Sequence, residues 1–74
     1  MARAKRTIQN QIRALRQQHG EMTQQELANH IGLTRQTVNA IEANKYSPSL
    51  EAAFRIAEVF GTPLEQVFQY AVVK

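Results

Sequence analysis

The stretch from Thr23 to Ala43 constrains this chain more than any other part of it. Thr23 followed by Glu26 is a capping box: the hydroxyl accepts from the backbone of the first turn, and the carboxylate reaches back. Leu27, Ala28 and Ile31 recur at helical spacing, and Gly32 follows at once, where a positive φ turns the chain without a Cβ clash. Thr34 supplies the next cap, with Val38 and Ile41 as the apolar stripe of a second helix. The spacing predicts two short helices joined by a tight turn. Leu33 would plug the gap between them, and the small Ala28 would let them cross closely.

Helices on either side complete the expected fold. The first is predicted over residues 7–19, with Ile8, Ile12 and Leu15 as its inner stripe and Gly20 as its stop. Asn44 ends the third, since asparagine tolerates the left-handed conformation next best after glycine. Pro48-Ser49 launches a fourth, with Leu50, Phe54, Ala57 and Phe60 as its core face and Gly61 as its end. Thr62-Pro63-Leu64-Glu65 reads as a second capping box with proline at the first helical position, opening a fifth helix whose Leu64, Val67 and Phe68 point inward. Ala71-Val72-Val73 is too apolar for a free tail and reads as a short strand or an oligomer contact. The expected class is an all-α, compact five-helix domain. A basic N-terminal arm (1–6) precedes the helical domain (7–70, two-helix motif 23–43), and a tail (71–74) follows.

Charge is unevenly spread. Residues 1–20 hold Arg3, Lys5, Arg6, Arg13 and Arg16 and no acid (+5), while residues 21–74 hold four basic and six acidic residues (−2), together the net +3. A basic end on a small domain attracts a polyanion and makes association salt-dependent. The bland alternative for the arm is a solubilising terminus. A chain of 74 residues is one domain that buries roughly 60% of its unfolded surface and is only marginally stable alone. The absence of cysteine fits a reducing compartment. No apolar run approaches a membrane span, and no signal-peptide core follows the basic start, so a soluble cytoplasmic protein with no membrane partner is expected.

The second helix of the motif buries Val38 and Ile41 and offers Arg35, Gln36, Thr37 and Asn39 on its outer face, a set suited to the edges of DNA bases. The segment resembles the helix-turn-helix of the phage-repressor family, the Cro/cI or xenobiotic-response-element type of bacterial regulator. Gln24, Leu27, Ala28, Ile31, Gly32, Val38, Ile41 and Glu42 carry the likeness within the motif. It extends through Ile12, Leu15 and Arg16 before it, and through Lys45 to Leu50, Ala53 to Ala57, Phe60-Gly61 and Leu64 to Phe68 after it. The resemblance implies a lambda-repressor-like DNA-binding domain with helix 35–43 in the major groove. Arg35 would donate bidentately to guanine, Gln36 would pair with adenine, the Thr37 methyl would touch thymine, and Asn39 faces the groove one turn on. At Ala40, a further reading position of the family, there is no hydrogen bond to make. Gln24 and Thr34, at helix N-termini, and Lys45, in the following loop, would hold phosphates. Tyr46 would either join them or pack on the fourth helix.

The same resemblance pairs Arg16 with Glu42 as a structural tether between the first helix and the recognition helix. It also exposes two departures. Glu21-Met22 stands where the family usually has one residue, so the loop should bulge with Met22 in the apolar role, and Ala43-Asn44 replaces a frequent asparagine-glycine pair. The implied function is a sequence-specific double-stranded DNA-binding transcriptional regulator, a repressor, acting as a two-fold homodimer on a palindromic operator. With no separate oligomerisation domain in the chain, the expected dimer surface is the fifth helix and tail, with Phe68, Tyr70, Val72 and Val73. The alternative is an antitoxin or other helical module whose main partner is a protein. An enzyme is not expected: His19 and His30 lack cysteine or clustered carboxylate partners at metal-ligand spacing, and no phosphate loop or nucleophile elbow occurs. No catalytic residue, metal or cofactor is therefore assigned. RNA binding lacks the stacking aromatics that single strands require.

Overall fold

A computed structural model describes residues 6–72, so Arg3 and Lys5 of the basic arm and Val73 of the tail lie outside the described residues. The order is β1 (Arg6–Asn10), α1 (Ile12–Gln18), α2 (Gln24–Ile31), α3 (Arg35–Glu42), α4 (Leu50–Phe60), α5 (Leu64–Val67) and β2 (Phe68–Val72). One core holds Ile12, Leu15, Leu27, Ala28, Ile31, Val38, Ile41, Ile56, Ala57, Phe60 and Val67. Met22 and Leu33 pack on its edge, as their apolar roles required.

The central motif forms as its residues dictate. Thr23 Oγ1 accepts from the Glu26 amide at 3.0 Å, and Glu26 Oε1 accepts from the Thr23 amide at 2.9 Å. The Thr23 amide, and after it the Thr23 hydroxyl, hold the Glu26 carboxyl below its ordinary pKa. Gly32 takes φ +73° at the end of α2, and the Leu33 amide returns to the Ala28 carbonyl at 3.0 Å. Thr34 caps α3 by accepting from the Thr37 amide. At the far end Asn44 adopts φ +60°, with Asn44 N bonded to Ile41 O and Lys45 N to Ala40 O, the paired closure of a Schellman end.

The termini depart from the all-α expectation. Residues 6–10 and 68–72 pair as an antiparallel two-stranded sheet with Ile8 opposite Tyr70. The first helix therefore starts at Ile12, where Asn10 Oδ1 accepts from the Ile12 amide at 3.2 Å. Ile8 lies on the strand, 42% exposed, and not on an inner helical stripe. Spacings of four and three between Ile8, Ile12 and Leu15 fit a helix on local grounds. A pairing about sixty residues distant overrides that fit. Correspondingly α5 has one turn, and Ala71 and Val72 of the apolar tail complete β2.

Two further expectations are corrected. Pro63 stands at the cap of α5 with no side-chain bond, and Thr62 Oγ1 is buried without a partner among the described residues, so the second capping box does not form. In α4 the buried face is Ala52, Ala53, Ile56, Ala57 and Phe60, while Leu50 and Phe54 are 68% and 55% exposed. The helix is rotated so that Ile56, Ala57 and Phe60 join the common core. No helix among the described residues is long and apolar enough to cross a membrane.

Candidate nucleic-acid interface

Helix α3 is held from beneath and open on top. Val38 and Ile41 are 1% and 2% exposed, and burial of each such side chain is worth about 1.5–3 kcal/mol. Arg35, Gln36 and Asn39 are exposed on the other side, and Thr34 is exposed at the cap. Thr37 is half-buried; its hydroxyl meets that of Thr34 at 2.9 Å, which holds the threonine in place and engages its polar group.

A polar network fixes the angle of this helix. Arg16 grips Glu42 with two bonds, Nε to Oε2 at 2.7 Å and Nη2 to Oε1 at 2.9 Å, and its Nη1 donates to the Met22 carbonyl at 2.8 Å. Both side chains are nearly covered, at 13% and 9% exposure. The paired geometry is the strong form of such a contact. The third bond links the extra residue of the Glu21-Met22 loop to the same arginine, and Glu21 accommodates the insertion with φ +57°. Gln24 extends the network, its Nε2 donating to Glu42 Oε1 and to Asn39 Oδ1, each at 3.2 Å. Gln24 thus braces α3 from the start of α2 and orients the Asn39 amide.

The residues read from sequence fall into two groups. Gln24, Asn39 and Arg35 border the same side of the molecule, with Arg35 beside Gln24 in one groove and Asn39 beside Gln24 in the next, while Gln36 is exposed on the first turn of α3 and lines neither groove. Lys45 is exposed past the C-terminal end of α3, remote from the α3 N-terminus that carries Thr34.

Two contributors were missed. Arg13 on α1 lines the groove of about 390 Å³ shared by Arg16, Gln24, Asn39 and Glu42, adding a cation there. Its signal was the acid-free run of residues 1–20, in which Arg13 falls on the predicted first helix and not in the arm of residues 1–6. Asn10 is the other. Its Nδ2 donates to Ile41 O at 3.0 Å and to Asn44 Oδ1 at 2.9 Å, tying the sheet to the end of α3. Nothing local in the sequence announces that contact.

Comparison with known proteins agrees with this architecture. A family model described as helix-turn-helix matches residues 12–67. An uncharacterized HTH-type transcriptional regulator of Methanocaldococcus jannaschii is 44% identical over 63 residues, covering 85% of this chain and 94% of that protein. One from Methanothermobacter thermautotrophicus is 48% identical over 58 residues, covering 77% and 83%. The HTH-type transcriptional regulator YgzD of Bacillus subtilis is 41% identical over 61 residues, covering 82% and 91%. These similar proteins come from archaea as well as bacteria. By the extent of the match and the geometry beneath it, the chain belongs to the Cro/cI, or xenobiotic-response-element, type of helix-turn-helix transcriptional regulator, a DNA-binding family and not a family of enzymes.

Proposed function

We propose that the chain is a sequence-specific repressor that reads a palindromic operator as a two-fold dimer, in the compartment that holds the chromosome, the cytoplasm. The observation that carries this reading is α3 itself, anchored by Val38 and Ile41 and clamped by the Arg16–Glu42–Gln24 network, with Arg35, Gln36 and Asn39 left outside. A rigid helix with a polar outer face enters the major groove with little further ordering cost. Arg35 donates to guanine O6 and N7, Gln36 pairs with adenine, and the Thr37 methyl meets thymine. Asn39 presents the amide that Gln24 has oriented. Gln24, Thr34 and Lys45 contact phosphates, and so does Arg13 from the groove wall.

Selection of bound sequences from random DNA tests the reading. The wild-type chain is expected to yield an inverted repeat with half-sites about one helical turn apart. Arg35→Ala with Gln36→Ala should relax preference at one or two positions per half-site, at about 1–3 kcal/mol of discrimination each. Lys45→Ala should instead weaken all sequences alike and lower the salt slope by about 1. Sequence preference unchanged by the double substitution would refute the assignment of α3 as the reader.

A further inference from the structure

We infer that the second copy docks on the apolar face of the β1–β2 sheet together with the exposed side of α4, with Ile8, Leu50, Phe54, Tyr70 and Val72 at the centre of the contact. The inference rests on the dimeric reading above and specifies its surface.

The register explains why such a face exists. Pairing of Arg6 with Val72, Ile8 with Tyr70 and Asn10 with Phe68 puts these residues on one side of the sheet, and Thr7, Gln9, Gln69 and Ala71 on the other. One side is polar. The other carries Ile8, Phe68, Tyr70 and Val72 between Arg6 and Asn10 at its ends, yet of these apolar residues only Phe68, at the inner end, packs on the core. Ile8, Tyr70 and Val72 are 42%, 67% and 52% exposed. A two-stranded ribbon is marginally stable in water without a packed face. This one is supported at its root and uncovered at its outer end.

The uncovered surface continues onto α4. A groove of about 270 Å³ runs between the sheet and the helix, lined by Ile8, Pro48, Leu50, Ala53, Leu64 and Phe68. Leu50 stands at its rim, and Phe54 follows one turn along the same helix. Tyrosine and phenylalanine each carry about 150–250 Å². At the observed exposures the five central residues offer several hundred Å². That is the larger part of the roughly 800 Å² each partner contributes to a standard interface, and above what scattered apolar residues explain.

A second copy fits this surface better than an unrelated protein. A two-fold contact must be self-complementary, and the face supplies both a groove and the side chains to fill one. Its rim is also complementary in charge under a two-fold axis. Arg6 pairs with Val72 at the outer end of the sheet, with its guanidinium over the Tyr70 ring 5.7 Å from the centroid, and Glu65 lines the surface at the inner end beside Ile8 and Tyr70. Two sheets packed head to tail set each arginine against the partner's acidic end. The grooves of this face contain none of Gln24, Arg35, Gln36 or Asn39, so it can be covered while α3 is in DNA. Asn10 joins the two functions, because its bonds to Ile41 and Asn44 fix the sheet relative to the end of α3.

The test is sedimentation of the full chain without DNA, over a range of concentrations, for wild type, Leu50→Glu with Phe54→Glu, and the control Gln9→Glu on the polar side of the sheet. Wild type and Gln9→Glu are expected at twice the 8.4 kDa chain mass. The double variant should associate about 30-fold or more weakly while keeping its helical circular dichroism. Leu50→Ala with Phe54→Ala, which retains good helix formers, repeats the test if the charged variant melts early. Dimers that survive both double variants overturn the surface alone. Wild type at single-chain mass throughout overturns the surface and the dimeric reading together. DNA reading is checked separately, by binding of the monomeric variant to an isolated half-site.

Discussion

Arg16 makes three hydrogen bonds, all to groups that depend on it: both carboxylate oxygens of Glu42 and the Met22 carbonyl. Its removal leaves Glu42 nearly covered with only the Gln24 amide to satisfy it. Breaking one side of a buried pair costs about 3–5 kcal/mol, and partial exposure puts this case near the lower end. Arg16→Ala should therefore lower Tm by more than about 10 °C in a domain of this size. Replacing both partners together, Arg16→Met with Glu42→Leu, should cost much less, because no charge is stranded. Thermal melts of the single and double variants distinguish a true pair from two unrelated surface charges. Equal losses in the two variants would dissolve the tether.

At the scale of elements, legibility followed the range of the interactions. The caps at Thr23 and Thr34, the turn at Gly32 and the left-handed Asn44 are decided within a few residues, and each is where its local chemistry puts it. The box expected at Thr62 failed because Pro63, held at φ −62° and ψ 152°, occupies the cap position itself. Helix α4 was legible as a helix but not in rotation, since its apolar residues surround more than half its circumference and local spacing does not say that Ile56, Ala57 and Phe60 turn inward while Leu50 and Phe54 do not. The cap of α2 also carries a pH signature. The folded-state pKa of Glu26 lies below its unfolded value, so its contribution is complete above about pH 4.3 and is lost as pH falls through the folded value. Melting of wild type and Glu26→Gln at about pH 5 and about pH 3 should show the smaller acid loss in the variant. An identical loss in both would mean that the box adds no pH-dependent stability.

For the molecule as a whole, the sheet is the feature that sequence patterning hid, and it also sets what is stable. Thr7-Ile8 and Tyr70-Ala71-Val72 become strands only because the fold returns the end of the chain to its beginning, with the Gln11 amide bonded to the Val67 carbonyl at 2.9 Å. The residues proposed to read DNA lie within one motif and are assembled from local spacing, while Asn10 acts across more than thirty residues and no local pattern announces it. The same division should appear in amide exchange. Amides of α2, α3 and α4 sit over the common core and should open only with global unfolding. Amides at the outer end of the sheet, around Ile8 and Tyr70, have no such cover within one chain and should open locally at far lower cost. If a second copy covers that face, their exchange must slow as protein concentration rises through the dimer dissociation range, and so must that of the helices, which open only with global unfolding and share the stabilisation that association brings. Exchange at the sheet that is independent of concentration, in a protein that sediments as a dimer, would place the shared surface elsewhere.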